Sequence, residues 1–182
     1  MEENNSEVEA FKNRSSERET SGNYEAQMVE AFVGKPDAPE KGLWYANSFS
    51  KYSINGVDKM AWNWSWWAFF GGLWFLLYRK AYAAAGGLFL ISLASAFIPF
   101  AGLIVWVLSG GYSTYFVYKG YKAKKLEIEA AQESDSQRIN TMQMVGGYNQ
   151  WVVIVAVILN VLTFIGLITL GAGLVASAGG NY

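Results

Sequence analysis

Residues 82–118 read YAAAGGLFLISLASAFIPFAGLIVWVLSGGYSTYFVY, a run without a single charged side chain. It divides at Pro99-Phe100-Ala101-Gly102, a natural turn, into an arm from 82 to 98 and an arm from 103 to 118. Each arm is near the short end of the range for crossing a bilayer, roughly 17 residues, whereas one helix through Pro99 would be far too long. The stretch therefore predicts a transmembrane helical hairpin over residues 81–118. Arg79 and Lys80 stand at one end, and Lys119, Lys122, Lys124 and Lys125 at the other. Basic residues stay on the cytoplasmic side, so both ends of the hairpin are expected there. Residues 151–178 form the second apolar block, uncharged, rich in Val, Ile and Leu, and opened by Trp151. They exceed the ~20 residues a span needs and are expected to tilt, or to end early near Gly171–Gly173. Arg138 precedes this span on the cytoplasmic side, which sends the C-terminus outward and leaves the N-terminus inside.

Upstream, residues 60–80 hold Trp62, Trp64, Trp66, Trp67 and Trp74 before Arg79-Lys80. Tryptophan favours the headgroup level, where its ring is apolar and its N–H stays wet. As a span, residues 60–78 are barely long enough. As a helix lying in the cytoplasmic interface, or a shallow re-entrant one, they place Trp along their whole length and let both basic residues reach lipid phosphates. The second reading is the expectation, with Trp62, Trp64, Trp66, Trp67, Trp74, Arg79, Lys80, Lys119, Lys122 and Trp151 as membrane-interface anchors.

The rest of the chain is polar. Residues 1–22 are acidic, lack apolar periodicity and predict a disordered tail. They contain no apolar stretch of the kind a signal peptide needs, so insertion is expected to be directed internally. Residues 23–59 predict two short cytoplasmic amphipathic helices. In the first, Met28, Val29 and Phe32 share a face and Gly34 ends the run. The second is announced by Asp37, Pro39 and Glu40, carries Tyr45, Phe49 and Tyr52 at i, i+4 and i+7, and stops at Asn55-Gly56. Residues 119–150 form a cytoplasmic linker in which the hairpin's helix continues until Ser134-Asp135-Ser136. A further helix carrying Arg138, Ile139, Met142 and Val145 follows, before Gly146-Gly147.

The 182 residues include no His and no Cys, and net charge is −1. The commonest general base, the thiolate nucleophile and the usual transition-metal ligands are therefore missing. No cofactor is expected, and no activity as an enzyme. An acidic N-terminal region with one small basic cluster also argues against nucleic acid as a partner. None of the predicted spans holds an Asp, Glu, Lys or Arg, which proton relays and many coupled transporters require. Asn160, Gly173 and Ser177 are candidate helix–helix contacts through a side-chain hydrogen bond or small-residue spacing.

The run WNWSWWAFFGGLWFLLYRKAY, from Trp62 to Tyr82, resembles the signature of the bacterial domain of unknown function 2628 family, F-N-W-x-A-F-F-F-G-P-L-W-x-L-Y-R-K-M-Y. Gly72 stands where that pattern has Pro, and Ala81 where it has Met. Phe32-Val33-Gly34-Lys35 with Tyr45 and Phe49 resembles the family's leader; Tyr115 to Lys119 and Gly146-Gly147 resemble its aromatic-basic exit and Gly pair. The resemblance implies a bacterial inner-membrane protein and brings no catalytic residues with it. The expected class is thus an all-α integral membrane protein with the lipid bilayer as its first partner. The expected role is that of an adaptor or scaffold binding a protein partner through its cytoplasmic module. The alternative is a subunit of a small homo-oligomeric channel or transporter.

Overall fold

The structure, a computed structural model, describes residues 2–34, 39–54 and 56–179; side chains are described except at residues 2–11, 15, 17, 18, 39 and 173–179. Among these residues the chain is almost wholly helical. The helices are α1 (Glu2–Val33), α2 (Pro39–Ser50), α3 (Trp66–Gly71), α4 (Leu73–Tyr78), α5 (Tyr82–Ser95), α6 (Ala101–Ala131), α7 (Asp135–Val145) and α8 (Gln150–Gly179). A two-stranded antiparallel hairpin, β1 (Ser53–Ile54) and β2 (Val57–Asp58), pairs Ser53 with Asp58 and Ile54 with Val57.

One half of the molecule has an aromatic core. The expected face of α1 buries Met28, Val29 and Phe32, and α2 buries Tyr45 and Phe49, with Tyr52 just beyond its end. They close on Tyr118, Tyr121 and Ile128 of α6 and Met142 of α7. The Phe49 ring stacks on Tyr121 at 5.2 Å and meets Tyr118 edge-on at 5.5 Å. Such ring pairs contribute about 0.5–1.5 kcal/mol each beyond the area they bury. As expected, α6 runs on past its apolar half to Ala131, and α7 starts behind Ser134, whose hydroxyl accepts the Gln137 N–H.

The other half is apolar outside. The chain turns between α5 and α6 at Pro99-Phe100, where Phe100 takes a left-handed φ of 64°. Phe89, Leu90, Ile91, Leu103, Ile104 and Val107 on these helices are exposed. One described helix is long and apolar enough to cross a membrane: the most apolar 18-residue window of α8 has a mean hydropathy of 2.8, and 6% of it is buried. Helix α5 is apolar but shorter, at 14 residues.

Four segments differ from expectation. Residues 2–22 continue α1 as helix instead of forming a structureless tail; that stretch has no Pro, and its only Gly is Gly22, so nothing in it breaks a helix. Helix α2 ends at Ser50 rather than running to Asn55, because residues 55 and 56 link β1 to β2; Gly56 adopts a φ of 78°. The expected N-cap of α2, Asp37, lies outside the described residues. Finally, residues 60–78 are not one interfacial helix. They are extended up to Ser65, helical in α3, broken at Gly72 and helical again in α4. Helix α8 does not stop near Gly171–Gly173 but continues to Gly179.

Candidate functional site

Two glycine-lined seams join the polar half to the apolar half, and of the expected site residues Trp62, Trp64, Arg79 and Lys80 lie along them. The first is built by alternation. In the extended stretch before α3, Asn63 and Ser65 point inward and are buried, while Trp62, Trp64 and Trp66 lie on the other face. A period of two is the side-chain period of an extended chain. The backbone docks edge-on to α6: Asn63 N–H donates to the Gly111 carbonyl at 3.0 Å, and Ser65 N–H to that of Gly110 at 2.9 Å. This approach leaves no room for side chains on α6. A Cβ on Gly111 would fall 2.4 Å from the Trp62 ring, and one on Gly110 would fall 3.0 Å from Trp64 and Phe69. Trp106 closes the seam by donating its indole N–H to the Phe69 carbonyl at 2.6 Å and stacking on the Phe69 ring at 4.4 Å. Inside, Asn63 donates to the Ser48 hydroxyl and accepts from Lys51 at 2.8 Å, which ties the seam to α2.

The second seam brings together three segments far apart in sequence. At the end of α1, Gly34 has a φ of 70°, and a Cβ there would fall 2.5 Å from the Gly147 backbone. Gly146 lies so close to Phe32 that a Cβ would meet its Cα at 2.8 Å. Gly147 N–H donates to the Phe32 carbonyl at 2.9 Å. Arg79 reaches in from the end of α4, donates to the Val33 carbonyl at 3.3 Å and lies 4.5 Å over the Tyr45 ring. Lys80, with a left-handed φ of 59°, donates to the Gly146 carbonyl, and Lys124 donates to that of Val145 at 2.7 Å. Asn149 then fastens α8 to α4, its N–H donating to Tyr78 and its side chain to Leu77 and Tyr82.

The expected anchors thus separate into groups. Trp66, Trp67 and Trp151 are exposed, Trp62 is half-exposed over Gly111, and Trp64 and Trp74 are partly buried. Arg79 and Lys80 turn toward helix ends of the protein itself. Lys119 and Lys122 both pair with Asp58, which also accepts from Tyr118 at 2.8 Å. Those donors, Lys122 first, lower the Asp58 carboxyl to a pKa of about 2. Lys125 pairs with Glu25 and Glu129. Asn160 is exposed and donates to the Ala156 carbonyl of its own helix at 2.7 Å, so within one chain it makes no interhelical bond. The side chains of Gly173 and Ser177 lie outside the described residues. Among the described residues no three His, Cys, Asp or Glu side chains gather as a metal would require.

The segments meeting here are those that carry the sequence resemblance: the end of α1, the aromatic string from Trp62 to Tyr82, and the aromatic-basic exit on α6. The model of the family described as Protein of unknown function (DUF2628) matches residues 11–121, well over half of the chain. The chain belongs to that family. The match takes in both partners of the Gly110-Gly111 seam and stops short of α7 and α8, so Gly146 and Gly147 lie beyond it. No curated protein and no solved structure matches the chain.

Proposed function

We propose that this protein is a non-enzymatic adaptor of the bacterial inner membrane, anchored by its apolar half and offering its polar helical module to a protein partner. The observation that carries the reading is the division of the molecule. A module of α1, α2, α7 and the end of α6 has its own aromatic core, while α5, the start of α6 and α8 turn Leu, Ile, Val and Phe outward. Between α1, α2 and α6 the module carries an open groove of about 400 Å³. Val29, Phe49 and Tyr121 form its floor, and Glu25, Lys122 and Glu129 are on its rim. An apolar floor inside a charged rim suits an amphipathic segment of another protein. Purification in mild detergent tests the proposal: a stoichiometric protein partner supports it. A symmetric homo-oligomer around a water-filled axis would instead support a channel subunit, a reading favoured by Asn160, the exposed amide on α8.

In the same proposal α5 and α6 form a membrane hairpin, α8 crosses outward, and residues 59–78 enter the membrane from the cytoplasmic side and return to it. Support for re-entry comes from both ends of that segment. Asp58 binds lysines of α6 at the module, and Arg79 binds the end of α1. Non-helical backbone is tolerated at membrane depth only against protein, and the extended stretch has the Gly110 and Gly111 carbonyls as partners. Single-Trp variants retaining Trp66 or Trp74, quenched by lipids brominated at defined depths, measure this. Both should report positions short of the bilayer centre, and strong quenching of Trp74 from the centre would overturn re-entry. A reporter active only in the cytoplasm should be silent when fused to the C-terminus.

A further inference from the structure

Six cations surround the joint between the two halves, and they fall into two sets. Around Asp58, Glu25 and Glu129, the lysines Lys119, Lys122 and Lys125 each have a carboxylate. In the second seam, Arg79, Lys80 and Lys124 form no ion pair among the described residues. Each donates to a main-chain carbonyl at a helix end: Val33 for Arg79, Gly146 for Lys80 and Val145 for Lys124. Val145 and Gly146 are consecutive, so both ammonium groups are held at the same end of α7. The Phe32 and Val33 carbonyls bring Gly147 and Arg79 to the same corner.

The charge there does not balance. A helix C-terminus presents roughly half a negative charge. The ends of α1 and α7 together offset about one of the three positive charges and Glu127 at most about one more, which leaves a surplus of about one or two at half-buried side chains. Lys124 registers the crowding: burial first, and then the neighbouring Lys80, lower its pKa, while Glu127 one turn on opposes them. Arg79 Nε is buried and has no partner. Lys80 holds a left-handed backbone that a lysine rarely adopts, a cost the surrounding contacts must sustain.

We infer that Arg79, Lys80 and Lys124 bind a phosphate group at the joint between α1, α4 and α7. The phosphodiester of an anionic lipid and a free phosphate share this chemistry. The lipid source rests on the membrane reading above, under which the exposed rings of Tyr82 and Trp151 flank the corner at headgroup level.

The test uses the full chain in a neutral detergent, melted by circular dichroism against phosphatidylglycerol, phosphatidylcholine and inorganic phosphate. Phosphatidylglycerol should raise Tm saturably and phosphatidylcholine should not. A rise with inorganic phosphate alone would identify a soluble anion as the ligand. Lys80→Gln and Lys124→Gln should each weaken the apparent affinity about five-fold, the effect of one basic residue near an anionic surface, and Lys119→Gln should not. Retention of phosphatidylglycerol by the wild-type protein through purification, read by native mass spectrometry, gives an answer even where a variant does not fold. No response to either anion, or a response that persists in Lys80→Gln/Lys124→Gln, would overturn the site. Flotation separates the two readings. Protein that floats with neutral vesicles but shows no anion preference sinks this inference alone. Protein that never floats yet melts higher with phosphate sinks the membrane reading alone.

Discussion

Gly110-Gly111 on α6 and Gly86-Gly87 on α5 are the same dipeptide, each within the apolar part of its helix. At the first, added methyl groups would fall 2.4–3.0 Å from the Trp62 and Trp64 rings and the Phe69 Cβ; at the second, nothing lies within 4 Å. The first pair therefore admits a neighbouring chain, and the second faces outward. The same contrast separates the seams from α8, which is bound near its first turn and, over residues 157–172, exposed. In both seams glycine lets backbone meet backbone or ring. The apolar surfaces elsewhere are left for whatever surrounds them.

The sharpest test of that division is Gly34→Ala. A left-handed alanine costs about 1–2 kcal/mol, and overpacking against backbone a further 1–3. Because the Gly147 main chain that blocks the methyl group is itself pinned to Phe32, relaxation is restricted. A loss of about 3 kcal/mol should appear in chemical or thermal unfolding in mild detergent. A loss below about 1 kcal/mol would show that the second seam is not a rigid joint. Next in size is Gly111→Ala, expected to cost about 2 kcal/mol by the same overpacking argument, since a half-exposed Trp62 ring can yield where backbone cannot. Its distinctive mark is a change in tryptophan emission, because Trp62 must leave its place over α6. Unchanged emission would place the extended stretch elsewhere.

These seams also mark the limit of what the amino-acid string discloses. Helix α7, the continuation of α6 and the buried faces of α1 and α2 were legible because 3.6-residue periodicity and the interruption at Ser134-Asp135-Ser136 are local signals. The alternation of Trp62, Trp64 and Trp66 with Asn63 and Ser65 was local too. Its period of two announces an extended chain, but five tryptophans in a row of uncharged residues suggested the membrane interface first. Likewise Asn55-Gly56 is a hairpin signal before it is a helix stop. That Arg79 and Lys80 would also donate to the carbonyls of Val33 and Gly146 was not legible, because those contacts span 46 and 66 residues of chain.

Smaller than either glycine effect is the pH response of the Asp58 cluster. The folded carboxyl has a pKa of about 2 against an ordinary value of 3.8. A depressed carboxylate adds stability above its unfolded pKa and loses it as pH falls through the folded one. Stability should therefore decline between about pH 4 and pH 2, and Asp58→Asn should remove that part of the decline. Because the cluster lies at the surface, with Lys119 about half-exposed, screening keeps the effect modest, and raising salt should shrink it further. A decline of the same size in Asp58→Asn would assign it to other carboxylates, and the ties from β2 to Lys119 and Lys122 would then carry little energy.

The smallest expected effect is the one that sharpens the comparison most. Gly87→Ile adds a bulky apolar side chain to α5 where nothing in the chain stands within 4 Å of the new Cβ. If that face meets lipid, the substitution replaces an exposed backbone with a group that lipid solvates equally well. Folded stability should change by no more than about 0.5 kcal/mol, the usual range for a surface site. The particle size in detergent should be unchanged as well. Ala83 and Gly87 lie one turn apart, and small residues at that spacing let helices of separate chains pack closely. A second copy seated there would be expelled by isoleucine, so a fall in particle size with the fold intact would show that the outward glycine pair is also a seam, made between molecules. Equal size and equal melting would leave Gly110-Gly111 as the pair that builds structure and Gly86-Gly87 as the pair that faces solvent lipid.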